Sequence, residues 1–187
     1  MVFSLISRLV NGVKGGVTAG LEGVADVGST VVGVVKDVTV TTLKETTEFV
    51  TAGIDVPASI VKGAISGVAD IGGSVIGAIK GIVSGTIEGV MESGGKQDEA
   101  VRGAVAQTVS SAKELGLNIG DTAVEAVKGS VDAVEKVGGD TVAATKEAVL
   151  AAIDAAKEIS TEAVDAVAEA LNAGVEGARD IIKAVKK

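Results

Sequence analysis

The sequence predicts an all-α protein made of long amphipathic helices, extended or folded as a hairpin and assembled side by side. Three observations carry this. Apolar residues recur on one eleven-residue frame from end to end, a period of two never persists for more than a few residues, and the polar columns are ordered by charge. Eleven residues make almost three α-helical turns, so such a repeat writes a straight apolar face along a helix. The length, 187 residues, is seventeen such units.

Position one of the frame holds Val10, Leu21, Val32, Leu43, Ile54, Ile65, Ile76 and Ile87, fails at Asp98, and resumes with Val109, Gly120, Val131, Val142, Ile153, Val164 and Val175. Position four holds Val13, Val24, Val35, Val68, Ile79, Val101, Val134 and Val167. Position seven holds Val27, Val38, Phe49, Ile60, Ile71, Ile82, Leu115, Val137, Ile159 and Ile181. Position eight adds Val17, Val50, Val61, Val83, Val105, Val127, Val149, Leu171 and Ile182, and position eleven adds Val31, Val75 and Ile119. At roughly 100° per residue the five columns fall within an arc of about 120°. This is the face expected to meet a lipid surface or a partner.

Two acidic columns, position two (Glu22, Glu88, Asp132, Asp165 among others) and position six (Asp26, Asp37, Asp70, Glu92, Glu147, Glu169 among others), are expected to point into open solvent. Position five is basic: Lys14, Lys36, Lys80, Arg102, Lys113, Lys146, Lys157 and Arg179. It borders the apolar arc, where a lysine stem can lie on apolar surface with its ammonium in water. Cations at the edge and acids at the crest suit a helix lying in an interface.

Along the chain, Met1 to Val10 already obeys the repeat, carries Arg8 and lacks a small-residue cleavage site, so it reads as the first amphipathic turns and not as a signal peptide. Residues 1–95 form a Gly/Val/Ile-rich arm with eighteen of the 26 glycines, and residues 96–187 form an Ala/Glu/Lys-rich arm. Glycine inside a helix costs about 1 kcal/mol relative to alanine, so the first arm needs a surface or partners to form. Pro57 should kink or end a helix near Gly53–Pro57. From Ser93 to Asp98 the stripe fails, and Gly94-Gly95 supplies a turn; bends are also placed at Gly116 to Gly120 and at Gly138-Gly139. A hairpin at Gly94-Gly95 would pair two arms of about 140 Å each, and the unbroken frame equally allows one continuous rod.

Gly23-Val24-Ala25-Asp26-Val27-Gly28 recurs as Gly67-Val68-Ala69-Asp70-Ile71-Gly72, forty-four residues or four units later. The small-residue series Gly12/Gly16/Gly20 and Gly73/Gly77/Gly81/Gly85/Gly89 reflect either the abundance of glycine or close side-by-side helix contacts. Thr39-Val40-Thr41-Thr42 and Ser29-Thr30-Val31-Val32 look strand-like locally, but the helical period overrides them. No window reaches eighteen uncharged apolar residues; Ala64 to Ile79 comes nearest and contains Asp70.

Composition narrows the chemistry. His, Cys, Trp and Tyr are absent, so the usual metal, thiol and triad chemistries lack their residues, and neither a cofactor, a metal nor a small-molecule substrate is expected. Gly12-Val13-Lys14-Gly15-Gly16 and Gly77-Ala78-Ile79-Lys80-Gly81 mimic parts of phosphate loops without the required spacing. A net charge of −8 disfavours nucleic acid.

The columns resemble the eleven-residue amphipathic repeats of perilipin-type lipid-droplet coat proteins, most closely from Val24 to Lys80. Gly120 to Lys187, with units such as Val142-Ala143-Ala144-Thr145-Lys146-Glu147-Ala148, looks more like late-embryogenesis-abundant proteins, synucleins or apolipoproteins, and the Ala/Val/Glu texture is similar to that of phasins. The chain departs from late-embryogenesis-abundant proteins in being far more hydrophobic, and from synucleins in lacking a basic repeat core. The resemblance implies adsorption by long helices without a catalytic site. The leading expectation is therefore a non-enzymatic cytoplasmic coat, peripheral on a lipid or granule surface, with burial giving about 0.8 kcal/mol per CH₂. The alternatives are a self-assembling filament or bundle subunit, hence a homo-oligomer or polymer, and a desiccation protectant. The last fits poorly with a mean hydropathy of +0.47.

Overall fold

The punctuation of the chain explains its architecture. In the computed structural model, which describes residues 2–45 and 55–185, Gly72, Gly94, Gly116 and Gly138 stand 22 residues apart with φ of +73°, +91°, +67° and +80°. Each ends a helix in a Schellman turn: Gly72 N–H donates to Ala69 and Gly73 N–H to Val68, and the pairs Gly94/Gly95, Gly116/Leu117 and Gly138/Gly139 repeat the pattern. Two residues after each glycine comes the next N-cap, Ser74, Lys96, Asn118 or Asp140, and all but Lys96 accept a backbone N–H of the new helix. From Ser74 to Asp140 helix plus turn therefore fills 22 residues, two undecads. The frame passes through these four reversals in phase.

The described residues form nine helices and no strand: α1 (Val2–Leu21), α2 (Val27–Glu45), α3 (Val56–Asp70), α4 (Val75–Glu92), α5 (Gln97–Glu114), α6 (Ile119–Val137), α7 (Thr141–Lys157), α8 (Thr161–Gly174) and α9 (Ala178–Val185). The all-α expectation holds, and the locally strand-like Thr39–Thr42 and Ser29–Val32 are helical. The helices are shorter than an unbroken frame suggested. The longest has 20 residues, about 30 Å, in place of a rod or two 140 Å arms. Gly94-Gly95 does turn the chain, as do Gly116 and Gly138. Pro57 is a start and not a kink: Asp55 caps α3 by accepting the Ala58 N–H at 3.0 Å, and Pro57 sits in the first turn, where a missing N–H costs nothing. Gly53, Ile54, Glu48, Phe49 and Val50 lie outside the described residues.

Contact concentrates between helices two apart in the chain: α1 with α3, α2 with α4, α3 with α5, α4 with α6, α5 with α7, and α6 with α8. From α3 to α9 each helix also meets its successor, as α1 meets α2. Odd- and even-numbered helices thus form two facing rows, a stack of helical hairpins in the manner of a solenoid. Packing runs without interruption across residue 95, through α3 with α5, α4 with α5 and α4 with α6.

Neighbours within a row run parallel, and glycine lets them close. A Cβ at Gly63 would stand 2.6 Å from the Val10 carbonyl oxygen, and one at Gly67 3.0 Å from that of Lys14, so α3 ascends alongside α1. A Cβ at Gly85 would stand 2.5 Å from the Val32 carbonyl, and one at Gly89 2.6 Å from Thr39 Cβ, which sets α4 on α2; Gly129 seats α6 on the Lys80 carbonyl of α4 in the same way. The series Gly81/Gly85/Gly89 is therefore a helix–helix contact. Between these seats lies a core of Val, Ile and Ala. Buried Thr86, Thr108 and Ser130 each donate a hydroxyl to the carbonyl four residues back, which satisfies them within their own helices.

Gly85→Ala is expected to lower the unfolding free energy in urea by about 1–3 kcal/mol, because the Val32 carbonyl has nowhere to retreat. Gly33→Ala, at a helical glycine with no atom within 4 Å of its would-be Cβ, is expected to raise it by about 0.5–1 kcal/mol. Equal responses at the two sites would contradict the close parallel packing.

Candidate interaction surface

The apolar columns lie inside the stack. Val13, Val17, Leu21, Val31, Val35, Ile60, Ile65, Val68, Ile79, Ile82, Val83, Ile87, Val134, Val149, Ile153, Val167, Leu171 and Ile182 are buried against other helices of the same chain. Val10, Val24, Val27, Val38, Ile71, Val75, Val131, Val164 and Val175 are half-buried, and among the described residues of the proposed face Ile76, Leu115 and Val142 are exposed. The partner these columns meet in this structure is the rest of the chain.

The expectation that both acidic columns face open solvent is corrected by Glu88, which is buried. An interior helix of a two-row stack is enclosed by both row neighbours as well as by the facing row. Accordingly α4 is buried at every residue from Ile82 to Val90, well beyond a 120° arc. Glu88 accepts the Ser84 hydroxyl at 2.9 Å and the Lys136 ammonium at 3.0 Å, and lies 3.7 Å from Lys36 Nζ. One carboxylate on α4 thereby ties α2 to α6.

The basic column forms cross-helix pairs rather than a free edge. Lys14 meets Asp70 at 2.7 Å, Lys36 meets Glu92 at 2.7 Å, Lys80 meets Asp132 at 2.7 Å, and Arg102 Nε meets Glu147 at 2.7 Å. Each of these pairs joins helices two apart. The Glu92 hydrogen bond, above all, raises Lys36 above the ordinary lysine range. Lys157 pairs within its own helix with Asp154, while Lys113, Lys146 and Arg179 make no ion pair among the described residues. Exposed pairs of this kind contribute about 0–1 kcal/mol each, so their main effect is to set register between parallel helices. Spacing alone did not reveal this ladder, because its partners lie some 45 to 56 residues apart.

What remains open to contact is at the ends of the stack and along its edges. Phe3 is 87% exposed and Val2 49%, at the start of α1. Phe3 stands outside the apolar columns; its being one of only two aromatic residues was the available signal. At the far end an open depression of about 430 Å³ is lined by Asp165, Ala168, Glu169, Asn172, Ala173 and Arg179. Among the described residues no cluster of three or more acidic side chains is placed to hold a metal, and no helix is long and apolar enough to cross a membrane. The chain matches no protein-family model and no curated protein.

Glu88→Gln is expected to lower the unfolding free energy by about 1–3 kcal/mol, since a buried, charge-assisted network loses its charge. Glu92→Gln, at a half-exposed pair, is expected to cost less than about 1 kcal/mol. Urea titration of both variants measures the difference, and a Glu88 effect no larger than that of Glu92 would count against the three-helix tie.

Proposed function

We propose that the protein is a non-enzymatic structural protein of the cytoplasm that coats a lipid or other hydrophobic surface peripherally, by exchanging helix–helix contacts for contacts with that surface. The observation that carries this reading is that one set of columns supplies both. The Val, Ile and Ala positions that would face an apolar surface are those now closed against neighbouring helices. Opening a row therefore returns the amphipathic helices with their apolar arcs free, while the short glycine-ended turns let each hairpin swing without breaking a helix. The core has few aromatic anchors and many glycine seats, so its packing is shallow and the exchange is evenly matched along the chain. Exposed Phe3 and Val2 supply a first point of insertion.

The test locks the stack. A Cβ at Gly16 would lie 3.7 Å from Val38 Cβ, and one at Gly174 3.7 Å from Val124 Cβ, both close to disulfide spacing, and the protein has no cysteine of its own. Gly16→Cys/Val38→Cys combined with Val124→Cys/Gly174→Cys pins α1 to α2 and α8 to α6. Flotation with triglyceride emulsion droplets should recover the reduced protein with the droplets and leave the oxidised protein in solution. Equal recovery in both states would show that no opening is needed, and no recovery in either would refute the coat.

A further inference from the structure

We propose that two copies of this chain exchange helices α6 to α9 about the turn at Gly116, with α5 and α6 of each copy joining into one continuous helix. The partner is a second copy, and the inference does not rest on the coat reading. It starts from arc residues that the hairpin leaves outside the core. Leu115, one residue before Gly116, is 47% exposed, and Ile119, three residues after it, is half-buried. They fill positions seven and eleven of the frame, which in the turn between α4 and α5 fall to Ser93 and Gln97. An apolar arc carried through a reversal adds little to the hairpin. In a helix running straight over residues 97–137, about 60 Å long, the same two side chains extend the arc of α5 into that of α6.

Of the four turns spaced 22 residues apart, this one opposes straightening least. Gly72, Gly94 and Gly138 are each followed by a second glycine, whereas Gly116 is followed by Leu117, and every glycine disfavours helix. The bonds that hold the reversal are local: Gly116 N–H donates to Lys113, Leu117 N–H to Ala112, and Asp121 N–H to the Asn118 side chain. A continuous helix replaces them with its own ladder.

What crosses the turn can be remade between copies. Among the described residues the main contacts across it are α4 with α6, α5 with α6 and α5 with α7. They include Lys136 with Glu88, Lys80 with Asp132, Arg102 with Glu147, and the paired hydrogen bonds of the Gln97 amide with the Asp140 backbone. Helices α6 to α9 of one copy can take the place of the other's and form each of these in trans, so the exchange gives up no packing. The gain lies at the junction. There the two straightened helices run antiparallel, and Leu115 and Ile119 of each face the other. Ile76, exposed at the start of α4, lies on the same edge, because α3 turns into α4 at the end of the stack where α5 turns into α6. The two stacks meet along this edge and cover it.

Refolding of the full chain from urea, without lipid and over a range of concentration, followed by sedimentation velocity, tests the exchange. A dimer of the 18.3 kDa chain is expected to grow with concentration. Gly116→Ala is expected to raise the dimerisation constant about tenfold or more. Alanine resists the left-handed φ of +67° and favours helix, and no atom lies within 4 Å of a Cβ there. Leu115→Glu added to Gly116→Ala should reverse that gain, since it removes the apolar junction and sets like charges across it. Arg102→Cys/Glu147→Cys, joined by a short bismaleimide after the isolated dimer is diluted, reads out the connectivity. An exchanged dimer pairs position 102 of one chain with position 147 of the other, so a denaturing gel should show linked dimers from the dimer fraction and only linked monomers from the monomer fraction. Gly116→Ala no more dimeric than the wild type, a gain that Leu115→Glu leaves intact, or a dimer whose links all lie within single chains would each overturn the proposal. Because no droplet is present, failure here is separate from failure of the coat reading.

Discussion

Where Gly85 of α4 lies against the Val32 carbonyl of α2 there is space for a hydrogen and for nothing larger, and the same holds where Gly63 meets Val10 and Gly129 meets Lys80. Parallel helices set side by side align their dipoles unfavourably, so they need a compensating gain. Close backbone approach provides it through dispersion contacts, and the cross-row ion pairs add to it. The two-row arrangement, the burial of the apolar columns and the capture of Glu88 all follow from this approach. A single methyl group at these seats would push the rows apart.

Much of this was legible in the residues. The helical period, the apolar columns and the turn at Gly94-Gly95 could be read directly, whereas the forty-four-residue echo of Gly23–Gly28 in Gly67–Gly72 falls on different places in the fold, since Gly23 turns the chain where its counterpart Gly67 is helical. The reversals were harder to read because a helix with its turn spans two undecads, which leaves no phase break to betray the fold. Composition does not separate Gly72, with φ of +73°, from Gly81, which is helical. One ends a helix and the other seats one. Glu88 sits in an acidic column that elsewhere is solvated, and only its place midway in a row buries it. Likewise Lys14 and Lys80 read as edge cations until their partners on other helices are known.

The columns carry two demands that usually fall on different proteins. An interfacial helix needs a broad, shallow apolar arc, whereas a stacked helix needs small residues on its flanks as well. The chain meets both by placing Val and Ile on the arc and Gly, Ser or Thr beside it, with the buried hydroxyls of Thr86, Thr108 and Ser130 satisfied within their own helices. That division lets one helix be polar toward water on its crest, close-packed on its flanks and apolar beneath. Val142, exposed at the start of α7, shows where the stack leaves an arc position uncovered.

Because among the described residues no major contact reaches beyond the second helix along the chain, distant parts of the molecule have little need of one another. A nascent polypeptide emerging from the ribosome meets its packing partners within a few dozen residues of their synthesis, so docking keeps pace with translation and never waits for the C-terminus. For a chain this rich in valine and isoleucine, that order of assembly hides each sticky segment almost as soon as it appears.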